Sequence, residues 1–426
     1  MTRPAKISSI VLWSVISAAF IGPGTVTTAV TAGSHFQLDL LWAVVFATLA
    51  CIVLQEVSAR VTIASGLNLG QAVIKKFGSQ KGWWLNALVG GTVILGCAAY
   101  EAGNILGAVS GVSLMFDGDG RIYTVLITAV AAFVLWRGKQ KWISALMTLL
   151  VGLMGIAFLI LALYGNFSVA DIAVASFVPR FPAGSELIAL GLVGTTIVPY
   201  NVFLGSGISK GQTIPLMRLG LTVSVCVGGL ITAWILLAGT LVNDFGSFPL
   251  LAHEFQQKIG PMGALALGVG LFAAGFSSAI TSPFAASIIA TSVFGVEKSA
   301  KIRFVWLLVL LTGFIFGISG VKPIPVILAV QALNGLILPL ITIYLIIIVN
   351  DTQLIAREHR HSAAYNIVLL IILACVSLIG LASIDKSLSS FLRLDGPHFS
   401  IIWIVTLLTV IAVGFRIFVK KPKGFK

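Results

Sequence analysis

The sequence predicts an all-α polytopic membrane protein: about 12 transmembrane helices in two inverted five-helix repeats, with helices 1 and 6 broken and two helices appended. Three observations carry this. The 426-residue chain is 58% hydrophobic and only 10% charged, with mean hydropathy +1.06. It divides into twelve apolar runs, most of which reach the roughly 20 residues needed to cross the hydrocarbon core. Two of those runs are interrupted by proline in similar settings, Ile21-Gly22-Pro23-Gly24-Thr25-Val26 and Ile197-Val198-Pro199-Tyr200-Asn201-Val202.

Taken in order, the first run (10–33) contains the first proline break and continues through it, so it reads as a span and not a cleaved signal peptide. In the second (40–64), Glu56 lies four residues before Arg60, the favourable order for a structural helix ion pair. The third (83–110) carries Gly103, Gly107 and Gly111 at every fourth position, which is packing chemistry, and a membrane carboxylate, Glu101. The fourth (122–136) is short, and the fifth spans 142–165. The sixth (185–209) holds the second break. The seventh (217–242) and ninth (303–320) are plain apolar runs, and the eighth (261–294) carries Ser277, Ser278 and Thr281 as packing hydroxyls. The tenth (323–349) contains Gln331 and Pro339, and runs at 365–384 and 399–420 complete the set.

Proline removes a backbone donor and clashes with the preceding turn. Irregular backbone at membrane depth persists only where protein or a cavity surrounds it. Interruptions at matching places in two halves of a chain point to a carrier's binding site. Five runs separate the starts of the two units, so residues 1–165 and 166–350 read as repeats, with 351–426 appended. An odd number of spans per unit inverts one relative to the other, which is the LeuT-type arrangement.

The net charge of +13 is a topology signal and not a nucleic-acid footprint. With the N-terminus inside, 21 of the 27 Lys and Arg fall on the inner side and six on the outer. An integral protein of a bacterial-type plasma membrane with both termini cytoplasmic is expected, with the lipid bilayer and a small solute or ion as partners. The four cysteines sit in apolar runs without CxxC spacing and read as small buried hydrophobes. The five histidines fall in loops, and His359-Arg360-His361 reads as a solvated loop. No catalytic constellation, P-loop or cofactor motif occurs, so neither an enzyme nor an ATP-driven pump is expected.

The chain resembles the Nramp metal-ion transporters over nearly its whole length. That family carries Asp-Pro-Gly-Asn in segment 1, where this chain has Gly22-Pro23-Gly24-Thr25, and Met-Pro-His-Asn in segment 6, where it has Val198-Pro199-Tyr200-Asn201. Segment 8, Ala273-Ala274-Gly275-Phe276-Ser277-Ser278-Ala279-Ile280-Thr281, is the most specific likeness. Segment 2, Leu54-Gln55-Glu56-Val57-Ser58-Ala59-Arg60, is similar to Leu-Gln-x-x-Ala-Ala-Arg, and Gln331 precedes Pro339 by eight residues.

The resemblance implies a LeuT fold, alternating access, and a site formed by Gly22, Gly24, Thr25, Thr195, Val198, Tyr200, Asn201 and Gln331. It also implies proton coupling through Glu101 and Asn104, which align with two acidic positions of the family. The metal-ligating Asp, Asn and Met of the family are replaced by Gly22, Thr25 and Val198. The segment 6 histidines are replaced by Tyr200 and Gly205. A bare divalent ion needs charged or strong donors, so the metal-ligand set is left unassigned and a conventional transition-metal site is not expected. The exposed amides of a Gly-Pro-Gly-Thr break favour a small zwitterionic or anionic organic solute. Two alternatives stay open: a divalent cation, Mg or Mn, carried with altered selectivity, and a non-transporting sensor.

Overall fold

A computed structural model describes residues 3–243, 245–296, 299–392 and 398–418. It leaves aside the side chains of residues 3, 328–329, 331–336, 386–388 and 390–392. Gln331 is among these, and its side chain lies outside the described residues. All regular structure among the described residues is helical.

The helices run α1 (Arg3–Phe20), α2 (Pro23–Phe36), α3 (Leu41–Ser65), α4 (Leu69–Phe77), α5 (Ser79–Ser113), α6 (Gly120–Arg137), α7 (Gln140–Ala162) and α8 (Val169–Phe177). They continue as α9 (Glu186–Thr196), α10 (Pro199–Ile208), α11 (Ile214–Gly239), α12 (Phe248–Ile259), α13 (Pro261–Phe294), α14 (Ser299–Ile318), α15 (Pro323–Val349), α16 (Ala363–Leu392) and α17 (Phe399–Phe418).

Ten helices are long and apolar enough to cross a membrane, with Glu186–Ile208 counted as one, and the bent pair α1–α2 makes an eleventh. The 27-residue α15 occupies the remaining predicted run. Both proline breaks fall where the sequence places them. The α1 and α2 axes meet at 64° around Gly22. Ile197 and Val198 leave helical geometry between α9 and α10. Each proline then sits in the first turn of the following half-helix, where its missing N–H costs nothing.

The two halves match element by element. The second full span of each is α3 (25 residues) and α11 (26), and each leads into a short helix, α4 (9) or α12 (12). The third spans, α5 (35) and α13 (34), are the longest helices in the chain. These two cross in the middle of the molecule on glycine. A Cβ on Gly111 would lie 2.3 Å from the Phe272 nitrogen, and one on Gly275 2.3 Å from the Ala108 nitrogen. The glycine stripe of the third run is thus a packing seam, as its spacing predicts.

The cysteines divide. Cys51 and Cys97 are buried, but Cys226 is exposed and Cys375 only half-buried, so the expectation that all four are buried is corrected. A membrane helix is apolar on its lipid face as well as its core face, and sequence alone does not say which one a cysteine occupies.

Candidate functional site

The end of α1 is where the site is built. A helix end leaves its last carbonyls without intrahelical partners. Here three elements supply hydroxyls to them. The Ala18 carbonyl accepts from Ser277 and Ser278 of α13, each at 3.3 Å. The Ala19 carbonyl accepts from the Tyr200 hydroxyl of α10 at 2.8 Å. The Phe20 carbonyl accepts from Thr25 Oγ1 of α2 at 2.5 Å, across the break itself. Tyr200 therefore ties one broken helix to the other.

Beside these bonds lies a small cavity of about 20 Å³, lined by Ala19, Phe20, Gly22, Gly24, Thr25, Tyr100, Asn104, Thr195, Val198, Tyr200 and Ser278. About 10–15 Å³ suffices for one water, so it has room for about one water-sized species. Tyr100 and Tyr200 meet edge to face at 5.8 Å over it. Its polar side chains are hydroxyls and one amide, with no carboxylate, imidazole, thiol or thioether among them.

Six of the eight predicted site residues line this cavity: Gly22, Gly24, Thr25, Thr195, Val198 and Tyr200. Asn104 lines it as well. Asn201 does not. It is fully buried at the start of α10, and neither side-chain atom has a hydrogen-bond partner among the described residues. Glu101 also stays off the cavity wall. It is fully buried between α5 and α14, where a Cβ on Gly313 would lie 2.8 Å from its Cγ. Its Oε2 accepts a long bond, 3.4 Å, from Asn104 Nδ2, and Oε1 has no partner. Asn104 is thus the link between the buried carboxylate and the cavity.

Three other threonines bond back onto their own turns: Thr27 to the Pro23 carbonyl, and Thr195 and Thr196 to that of Leu192. Two lining residues, Tyr100 and Ser278, are missing from the sequence-derived site. Ser278 had a usable signal, its place in the segment 8 stretch, but reads as packing. Tyr100 has none beyond standing next to Glu101.

The His359-Arg360-His361 expectation is corrected in part. The His361 side chain is only 3% exposed, its Nε2 lies 3.4 Å from Glu56 Oε2, and its ring stacks on Tyr365 at 3.9 Å. Burial, with Arg60 and Arg218 nearby, pushes the imidazole down from 6.5 to about 4, against the pull of Glu56. Glu56 pairs with Arg60 as the spacing predicts. Among the described residues, no group of three or more His, Cys, Asp or Glu is placed to hold a metal.

Two broken helices meeting at a small cavity inside an all-helical membrane bundle define a LeuT-fold carrier. Solved structures of that fold superpose on the chain. A manganese transporter from Eremococcus coleocola, in complex with an aromatic bis-isothiourea substituted compound, covers 96% of this chain and 92% of its own, with TM-score 0.78 at 17% identity. Mhp1, a nucleobase-cation-symport-1 family transporter, covers 95% and 90% with TM-score 0.58 at 14% identity. The chain belongs to the Nramp family: the profile for natural resistance-associated macrophage protein-like sequences matches residues 14–385. The divalent metal cation transporter MntH of Deinococcus radiodurans is 25% identical over 343 residues, 75% of this chain and 76% of its own length. That of Erwinia tasmaniensis is 24% identical over 395 residues, 88% and 94%. The chain is accordingly a secondary transporter of the Nramp family.

Proposed function

We propose that the chain carries a hard divalent cation, Mg2+ or Mn2+, by alternating access, and that the ion keeps part of its water shell at the site. The observation that carries this is the cavity. Its polar side chains are hydroxyls and one amide, which offer neutral oxygens. Oxygen donors suit hard cations, and a magnesium ion gives up its waters reluctantly. The matched relatives are named as divalent metal cation transporters, which supports the same reading. An organic solute, favoured on the sequence alone, is the weaker reading, because the matched relatives are named as divalent metal cation transporters.

In this account Gly22 and Gly24 let the ion approach backbone. Thr25, Thr195, Tyr200, Asn104 and Ser278 offer oxygens directly or through water. Val198 supplies no soft donor. The carboxyl-terminal ends of α1 and α9 bring partial negative charge and the amino-terminal ends of α2 and α10 bring partial positive charge, so the breaks add no net charge. Glu101, linked to the cavity through Asn104, is the proposed proton-coupling group. The units 1–165, 166–350 and 351–426 are proposed as the two repeats and the appendage, supported by the paired helix lengths. The charge bias supports a plasma-membrane protein with both termini cytoplasmic.

Reconstitution into liposomes loaded with a divalent-cation indicator tests the proposal. Uptake of Mg2+ or Mn2+ that depends on the protein is expected. Counterflow of a labelled organic solute without cation flux, or cation binding without flux, would overturn it.

A further inference from the structure

Away from the cavity, the largest concentration of charge inside the fold gathers on one carboxylate. Glu56 lies on α3, about two-thirds of the way along the predicted second run, and is 4% exposed. Its Oε1 accepts from Arg60 Nε at 3.1 Å, from Arg60 Nη2, and from Arg218 Nε of α11 at 2.9 Å. Its Oε2 faces the Tyr365 hydroxyl of α16 at 3.2 Å and His361 Nε2 of the preceding loop at 3.4 Å. A buried charged network of this kind is costly to leave half-satisfied, so its members are held together as a unit.

The loop between α15 and α16 is laid across the same region. Arg60 Nη1 donates to the His359 carbonyl at 3.1 Å. Asp351, just past α15, pairs with Lys76 of α4 and accepts from the Gln353 and Leu354 amides at 2.7 and 3.2 Å. Asn350 and Asn366 exchange bonds of 3.0 and 2.8 Å, closing the base of the loop. The loop is therefore a built strap, bonded internally and fastened at both ends to the α3–α4 unit. On its other face α3 bonds to α10, the second half of the sixth span. Ser58 Oγ donates to the Val202 carbonyl at 2.5 Å, and Thr62 and Ser206 share a bond of 2.7 Å.

We propose that residues 350–362 form a cytoplasmic latch, anchored on Glu56, that holds the carrier closed on that side and is released when it opens inward. Glu56 is a positioning residue in this device and touches no substrate. The latch joins both halves of the chain: α3, α11 and the strap meet on Glu56, and α4 meets the strap on Asp351. Releasing it frees α3 from α11 and α16 and lets the α3–α10 seam part.

The test uses the full-length protein in vesicles, with its four cysteines replaced by alanine and a single reporter added. Ser58→Cys reports the inner seam, and Thr31→Cys on α2 reports the outer half of the first broken helix. Each is probed with a membrane-impermeant thiol reagent on its own side. Glu56→Gln should raise Ser58→Cys labelling at least fivefold and lower Thr31→Cys labelling. Tyr365→Phe, which removes one bond, should shift both in the same directions by less. Arg218→Gln, at a half-exposed side chain, repeats the test if Glu56→Gln does not fold. Unchanged labelling at Ser58→Cys in every folded variant would overturn the latch. So would a rise at both reporters together, which marks general loosening. None of these readings depends on which solute is carried.

Discussion

Gly22→Asp puts a carboxylate back at the cavity and separates charge from packing. Gly22 sits at φ −103° and ψ −178°, extended backbone that aspartate adopts without strain. A Cβ there would lie 3.0 Å from Ser278 Oγ and 3.7 Å from Asn104 Oδ1, so Ser278 has to give by a few tenths of an ångström. The carboxylate enters a space of about 20 Å³. Overpacking should cost about 1–3 kcal/mol, and an unpaired buried charge about 3–5 kcal/mol more. Without metal the variant should therefore melt well below wild type. A divalent cation at a hundredfold excess over its dissociation constant returns about 2.7 kcal/mol. Gly22→Asn fills the same space without the charge and isolates packing. The assay is thermal unfolding in detergent, with chelator or with excess Mg2+ or Mn2+. Metal should rescue Gly22→Asp by more than it shifts Gly22→Asn or wild type. A folded Gly22→Asp whose response to metal equals that of Gly22→Asn would refute the placement of the ion at this cavity.

Three further outcomes are expected. His361 goes from 6.5 unfolded to about 4 folded, so the unfolded chain takes up the proton first as pH falls. Its contribution is present above pH 6.5 and is lost toward pH 4, about 3 kcal/mol in all. Thermal melts across that window should show wild type losing more stability than His361→Gln, and equal losses would contradict the buried neutral imidazole. Glu101→Gln should flatten the pH dependence of cation uptake while the protein still folds; an unchanged profile would end its coupling role. Tyr200→Phe leaves the Ala19 carbonyl without its hydroxyl and should lower stability by about 1–3 kcal/mol in a melt; no loss would show that the bond between the two broken helices is dispensable.

Much of the fold is legible in the sequence because its causes are local. Pro23 and Pro199 break helices wherever they stand, and glycine every fourth residue from Gly103 lets α5 approach its neighbours. Gly22, Gly24, Thr25, Val198 and Tyr200 follow from the breaks and end on the cavity wall. What the sequence hides comes from residues brought together across the chain. Tyr100 and Ser278 reach the cavity because α5 and α13 cross there. His361 looks like a solvated loop residue until Glu56, far away in the chain, is placed beneath it. Asn201, read as a site residue from its motif, turns away from the cavity, since adjacent residues on a helix point about 100° apart and Tyr200 takes the inward position. Cys226 shows the same limit on the lipid side.

The central claim is that the crossing of the two broken helices holds a divalent cation on neutral oxygens. Anomalous scattering from crystals grown with Mn2+ tests it most directly. A peak between Thr25 and Tyr200, within a water's reach of Asn104 and Ser278, is the predicted result. A manganese peak elsewhere in the protein, with this cavity empty in a preparation that transports the ion, would contradict it.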